Sequence, residues 1–258
     1  MIELETLRDL ARRGDGADRA FVDGALRMRW PKAGAARGAL EDVHAELAAA
    51  AARAHADLRA RIASGALRGA ALRACFEAPP PAERDHFVEE VLGIAYPPLA
   101  EPAPERELVT YCPSGYDEIV HAFDVTGLGA GDRFLDVGAG AGKSVLLAAL
   151  LCGARGEGIE RDEPVYRMAA GAADALAADA RFVLADARDA AFPEADVVFM
   201  YIPFTGATLA AALARLLARP PRFLCASAVD LACHPTLVPA GEARSWLHVY
   251  ACGSTMRA

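Results

Sequence analysis

The stretch Arg133-Phe134-Leu135-Asp136-Val137-Gly138-Ala139-Gly140-Ala141-Gly142-Lys143-Ser144 decides the fold. Its first five residues read as a strand, its glycines as a turn, and Lys143 to Leu151 as a helix ended by Gly153. Glycines at such a junction let the backbone bend tightly and approach a ligand with no side chain in the way. The helix amides that follow face a carboxylate or a phosphate. The third glycine comes one residue too early for the Gly-x-Gly-x-x-Gly dinucleotide fingerprint. Asp136, two residues before the first glycine, repels a pyrophosphate and suits a cofactor bearing an ammonium group. Gly142-Lys143-Ser144 also invites a phosphate-loop reading, but the glycine that loop needs falls on Val137. Lys143 is therefore expected to be a solvated helix residue.

On the C-terminal side, strands and helices alternate. Glu157 to Glu160 ends the next strand, Pro164 to Leu176 is a helix, and Arg181 to Leu184 is a third strand. Asp196 to Met200 is a fourth strand, and Thr208 to Ala218 a helix ended by Pro220-Pro221. Arg222 to Ala226 is a fifth strand and Trp246 to Ala251 a late one, with His248 expected at its surface. This alternation predicts an α/β fold, a mostly parallel sheet with helices on both faces. On the N-terminal side, Tyr116 to Phe123 reads as a helix, preceded by a Pro-rich linker from Tyr96 to Pro104. Residues 1–96 read as helical. Leu40, Val43, Leu47, Ala51, Ala54, Leu58 and Ile62 form one stripe at spacings of 3 and 4. Ala82 to Leu92 is a second amphipathic segment stopped by Gly93. His44 and His55 beside the stripes are expected to be solvated or capping. The expected division is a helical region with linker over 1–105 and a cofactor-binding domain over 106–258.

Composition sets limits. The 258 residues carry 27 Lys+Arg and 35 Asp+Glu, a formal net charge of −8, and 54% hydrophobic residues. A core is affordable, and sequence-nonspecific nucleic-acid binding is disfavoured by the charge. The longest strongly apolar run, Val145 to Cys152, is far short of the roughly 20 residues of a membrane span, and the acidic N-terminus lacks the form of a signal peptide. Six scattered cysteines without a Cys-x-x-Cys pair read as buried free thiols in a reducing cytosol, and no metal site is expected.

Two more acids extend the glycine signal. Glu160 lies at the end of the second strand, where an acid accepts hydrogen bonds from ribose hydroxyls. Asp186, just past the third strand, can accept from an adenine amino group. With Asp136-x-Gly138-x-Gly140-x-Gly142, Glu160 and Asp186 in this order, residues 106–258 resemble the class I (seven-strand, Rossmann-like) S-adenosylmethionine-dependent methyltransferases. The resemblance implies that the glycine turn holds the methionine part of the cofactor, Glu160 the ribose, and Asp186 with Ala187 the adenine.

A finer resemblance rests on Tyr111-Cys112-Pro113-Ser114-Gly115-Tyr116, about 20 residues before the glycine motif, and on Gly158-Ile159-Glu160-Arg161. It is similar to the non-SET histone-lysine methyltransferase group and its prokaryotic protein-lysine methyltransferase relatives. There a Tyr-x-Pro segment folds over the cofactor, and Tyr111, Pro113, Ser114 and Tyr116 are the counterparts here. The nucleosome-binding basic tract of the eukaryotic members has no counterpart, and nothing points to a histone acceptor. The fourth strand runs into Tyr201-Ile202-Pro203-Phe204, where this fold faces the transferred methyl group. Tyr201 stands where amide and amine methyltransferases carry Asn or Asp, and Ile202 where they carry a first proline. Tyr201, Pro203 and Phe204 are the candidate catalytic residues. The expected reaction is methyl transfer from S-adenosylmethionine to a protein lysine or another amine. A small-molecule acceptor and a non-catalytic cofactor-binding module remain as rivals.

Overall fold

The computed structural model describes residues 3–29, 37–97, 113–201, 205–244 and 246–253. Among these residues six helices come first: α1 Leu4–Arg13, α2 Gly16–Arg29, α3 Arg37–Ala54, α4 Ala56–Ala63, α5 Gly69–Glu77 and α6 Pro81–Leu92. The α/β part follows as α7 Tyr116–Thr126, β1 Arg133–Val137, α8 Lys143–Leu147, β2 Arg155–Glu160, α9 Glu163–Ala175 and β3 Ala180–Leu184. It ends with β4 Val197–Tyr201, α10 Gly206–Leu217, β5 Phe223–Ser227, β6 Leu237–Pro239 and β7 Leu247–Cys252. After Leu147, α8 widens into a π-helical turn over Ala148–Cys152 and stops at Gly153, whose φ is 69°.

The seven strands form one sheet in the order β3-β2-β1-β4-β5-β7-β6. All pairings from β3 to β5 are parallel, whereas β7 runs antiparallel to both β5 and β6. This is the Rossmann-like, mostly parallel architecture expected from the resemblance. Among the described strands the one the sequence reading missed is β6, three residues at the sheet's edge.

Successive residues of the central strands feed opposite faces. Phe134 and Phe199 enter a core with α4 to α9, whereas Leu135, Val198 and Met200 enter a second core with α10. β1 and β4 are buried along almost their whole length, as parallel strands covered on both sides must be. β2 carries little apolar surface because α8 and β3 crowd it. A Cβ at Gly156 would lie 2.7 Å from Val145 Cγ1, and one at Gly158 2.7 Å from Ala139 Cβ.

The N-terminal helices correct two expectations. The seven-residue stripe is not one helix. The chain breaks at His55, so Leu40, Val43, Leu47 and Ala51 serve a small core with α1, α2 and Tyr96. Ile62 and Leu58 instead join the core under the sheet, and Ala54 is exposed. Nor are the histidines solvated, although His55 does stand at the N-cap position of α4, without a capping bond from its side chain. His55 Nε2 lies 2.9 Å from Glu90 Oε2, and the His44 ring meets Tyr96 edge-on at 5.8 Å.

Glu90, on the inward face of α6, is 2% exposed. Arg19 grips it with two bonds, Nε to Oε1 at 2.6 Å and Nη2 to Oε2 at 2.8 Å, and the Tyr96 hydroxyl donates to Oε1 at 2.6 Å. His86 Nε2 stands 3.3 Å from the same oxygen. Burial pushes the Glu90 carboxyl up, but hydrogen bonds from Arg19, His55, His86 and Tyr96 outweigh it and hold the group well below the usual carboxylate range. No described helix is long and apolar enough to cross a membrane.

Candidate functional site

The site is built at the carboxyl ends of β1, β2 and β3, which the ladder sets side by side: Val137 pairs with Ile159, and Glu160 with Leu184. The bend after β1 is tied down. The amides of Gly138 and Ala139 both donate to Ile159 O, at 3.0 and 2.9 Å. Gly138, Gly140 and Gly142 all take left-handed conformations, with φ of 85°, 55° and 85°, a region that costs other residues roughly 1–2 kcal/mol. Gly142 is needed for packing as well. A Cβ there would lie 2.5 Å from the Phe182 ring of β3.

Asp136 is buried, 5% exposed. Its Oδ2 accepts from the hydroxyl of Ser144, the second residue of α8. Its Oδ1 is buried with no hydrogen-bond partner among the described residues. Burial pushes the Asp136 carboxyl up to about 7; the Ser144 bond opposes this and the charge of Glu160 adds to it. An acceptor atom left this way is costly unless a donor reaches it.

Glu160 is held in one orientation by three backbone amides. Gly140 N donates to Oε2 at 2.8 Å, and Arg161 N and Asp162 N both donate to Oε1 at 2.7 Å. Burial raises its pKa while those three amides pull it down. A carboxylate oxygen offers about two acceptor directions, so Oε2 keeps one. The glycine bend and the second acid are therefore one hydrogen-bonded unit.

Asp186 opens the turn after β3, and its carboxylate faces a guanidinium. Arg188 Nη2 donates at 2.6 Å and Arg188 N at 2.9 Å, while Arg161 Nη1 stands 3.9 Å away. The Arg188 pairing holds Asp186 below its ordinary pKa. Ala187 is buried beside it. Tyr201 ends β4, half-buried, opposite Ser227 of β5. Pro113 is exposed and Ser114 half-buried just before α7. Tyr111, Pro203 and Phe204 lie outside the described residues.

Lys143 corrects another expectation. It is 5% exposed rather than solvated, and its ammonium pairs with Asp85 Oδ1 at 2.8 Å and Glu89 Oε1 at 2.6 Å. Two acids four apart on α6 were the available signal, since they share a helix face. Of the cysteines, Cys225 is buried, but Cys233 is exposed and Cys75, Cys152 and Cys252 are intermediate, all as free thiols. His248, expected at the surface, is half-buried and stacks on Tyr250 at 6.2 Å. Among the described residues no group of three or more His, Cys, Asp or Glu is placed to hold a metal ion.

Strand order, antiparallel β7 and the acid-led glycine bend on β1 define a seven-strand, Rossmann-like class of fold. No family model and no curated protein matches the chain. Among solved structures it is similar to an RNA methyltransferase from Salinibacter ruber in complex with S-adenosyl-L-homocysteine. That pair shows 25% identity over 54% of this chain and 91% of the other, with a TM-score of 0.47. A SAM-dependent methyltransferase from Thiobacillus denitrificans in complex with S-adenosyl-L-homocysteine shows 24% identity over 46% and 50%, TM-score 0.39. The magnesium protoporphyrin IX methyltransferase of Synechocystis PCC 6803 with bound SAM shows 14% over 52% and 74%, TM-score 0.43. The acceptors named there belong to those proteins.

Proposed function

We propose that this chain is an S-adenosylmethionine-dependent methyltransferase acting on a protein lysine or another amine. One observation carries the reading: the Oδ1 of Asp136, buried and without a partner among the described residues, stands beside a second carboxylate locked to the glycine bend. An ammonium donor satisfies that oxygen, and hydroxyl donors suit the remaining direction on Glu160. A pyrophosphate would meet two carboxylates at this place and be repelled.

S-adenosylmethionine supplies the methyl group, already activated on a sulfonium, so the protein's task is binding and alignment. Asp136 must ionise to accept an ammonium, and proximity of that cation favours its charged form. Glu160, held by three amides, accepts ribose hydroxyls without reorganising. Asp186 reaches adenine only by sharing its carboxylate with Arg188. Tyr201 at the tip of β4 orients the acceptor amine, and Pro203 and Phe204, which follow it in the sequence, are the other candidate residues for this role. A lysine acceptor must shed its proton first, since its ordinary pKa is about 10.4; apolar and aromatic surroundings favour the neutral amine.

Titration calorimetry with S-adenosylmethionine, S-adenosylhomocysteine and NAD tests the cofactor. Binding of the two sulfur nucleosides and not of NAD is expected; the reverse overturns the reading. Transfer of radiolabelled methyl to protein rather than to a metabolite fraction tests the acceptor class.

A further inference from the structure

The glycine bend is held from β2 on one side, and from the N-terminal helices on the other. Lys143 follows Gly142 directly and is the first residue of α8. A buried ammonium must keep its counter-charges, and both come from α6, as Asp85 and Glu89. Asp85 has a second task. The same Oδ1 accepts from Tyr116 N at 2.6 Å, the first amide of α7. The N-cap of α7 is Gly115, which has no side chain to cap with. Asp85 supplies that cap from another helix, and Arg84 adds a bond from Nη1 to Asp117 Oδ1 at 2.6 Å. One carboxylate oxygen thus joins the exit of the glycine bend to the point where residues 113–115 enter α7.

We propose that Asp85 is a positioning residue for the cofactor site, through which the N-terminal helices set the glycine bend and the segment before α7 together. The proposal rests on the methyltransferase reading above. It assigns the helical region a part in cofactor binding, although no residue of that region is in the binding motif. Linkage makes the effect reciprocal: whatever α6 does for cofactor affinity, the cofactor does for α6.

The test uses the full chain with S-adenosylhomocysteine as the titrant. Asp85→Ala is compared with Arg73→Ala, which removes the Arg73–Asp124 bonds at 2.6 and 2.8 Å between α5 and α7, away from the bend. Asp85→Ala is expected to raise Kd about tenfold, the scale of a lost hydrogen bond to a charged group. Arg73→Ala is expected to lower the melting temperature and leave Kd unchanged. In the wild type, the ligand should also slow amide hydrogen exchange along α6. Equal loss of affinity in both variants, no loss in Asp85→Ala, or no ligand protection of α6 overturns the proposal. If Asp85→Ala does not fold, Asp85→Asn, which keeps an oxygen for the Tyr116 amide, takes its place under the same comparison. A wild-type chain that binds no S-adenosylhomocysteine overturns the methyltransferase reading instead, so the two failures are distinguishable.

Discussion

Two buried carboxyls respond to pH in opposite directions. Asp136 is raised to about 7 chiefly by burial, whereas in an unfolded chain it ionises near ~3.9. Between those values the folded form holds a proton that the unfolded form has lost. Its contribution to stability therefore falls as pH rises from about 4 to about 7. Asp136→Asn removes that decline, so the melting-temperature difference, variant minus wild type, should grow with pH across this window. Glu90 is lowered in the folded state, despite its burial, by Arg19 and its other partners. Its contribution is present above the ordinary glutamate value and is lost as pH falls through the depressed one. In the cofactor site, Glu160→Ala should weaken S-adenosylhomocysteine binding by about 1–3 kcal/mol, the range for charged hydrogen bonds; unchanged calorimetric affinity would remove Glu160 from the ribose role. Gly142→Ala combines a φ of 85° with a Cβ 2.5 Å from the Phe182 ring. It should cost at least about 2 kcal/mol in chemical denaturation. The positions of Asp136 and Glu160 were legible because strand ends and glycine spacing are local signals. The burial of Lys143 was harder to read, because its one signal, the paired acids Asp85 and Glu89 on α6, lies more than fifty residues away and nothing local links the two.

Among the elements, β1 and β4 were legible as short, nearly continuous apolar runs, the mark of strands covered on both faces, and α10 by apolar residues at helical spacing. β2 was legible only at its end, since Gly156 and Gly158 give way to Val145, Ala139 and Phe182 and leave no apolar pattern. The break between α3 and α4 was hidden by a stripe that keeps perfect helical spacing across it. His55 turns toward Glu90 there, a partner the spacing cannot reveal. That partnership ties α2, the junction of α3 and α4, and α6 through one carboxylate, and Glu90→Gln should be severe. Leaving Arg19 buried without its counter-charge is expected to cost about 3–5 kcal/mol in urea unfolding. A loss below about 1 kcal/mol would mean that Arg19 finds water or another acceptor.

For the whole molecule, the expected boundary near residue 105 lies outside the described residues, but the packing bears on what each side can do alone. Phe76, Val88, Val91 and Leu92 share one core with Val145, Leu146 and Phe134. Arg68 reaches across to Leu176 O at 2.7 Å. A fragment spanning 113–253 would expose that face, and it should lose cooperative thermal unfolding, checked by calorimetry.

The far edge of the sheet has a mechanical consequence. β6 comes earlier in the chain than β7, yet its ladder bonds run to β7, which alone connects it to β5. Pulling on the C-terminal end would peel β7 away and strand β6 in the same event. Residues 228–252 should then pay out as one unit, lengthening the tether by up to roughly 80–90 Å at full extension.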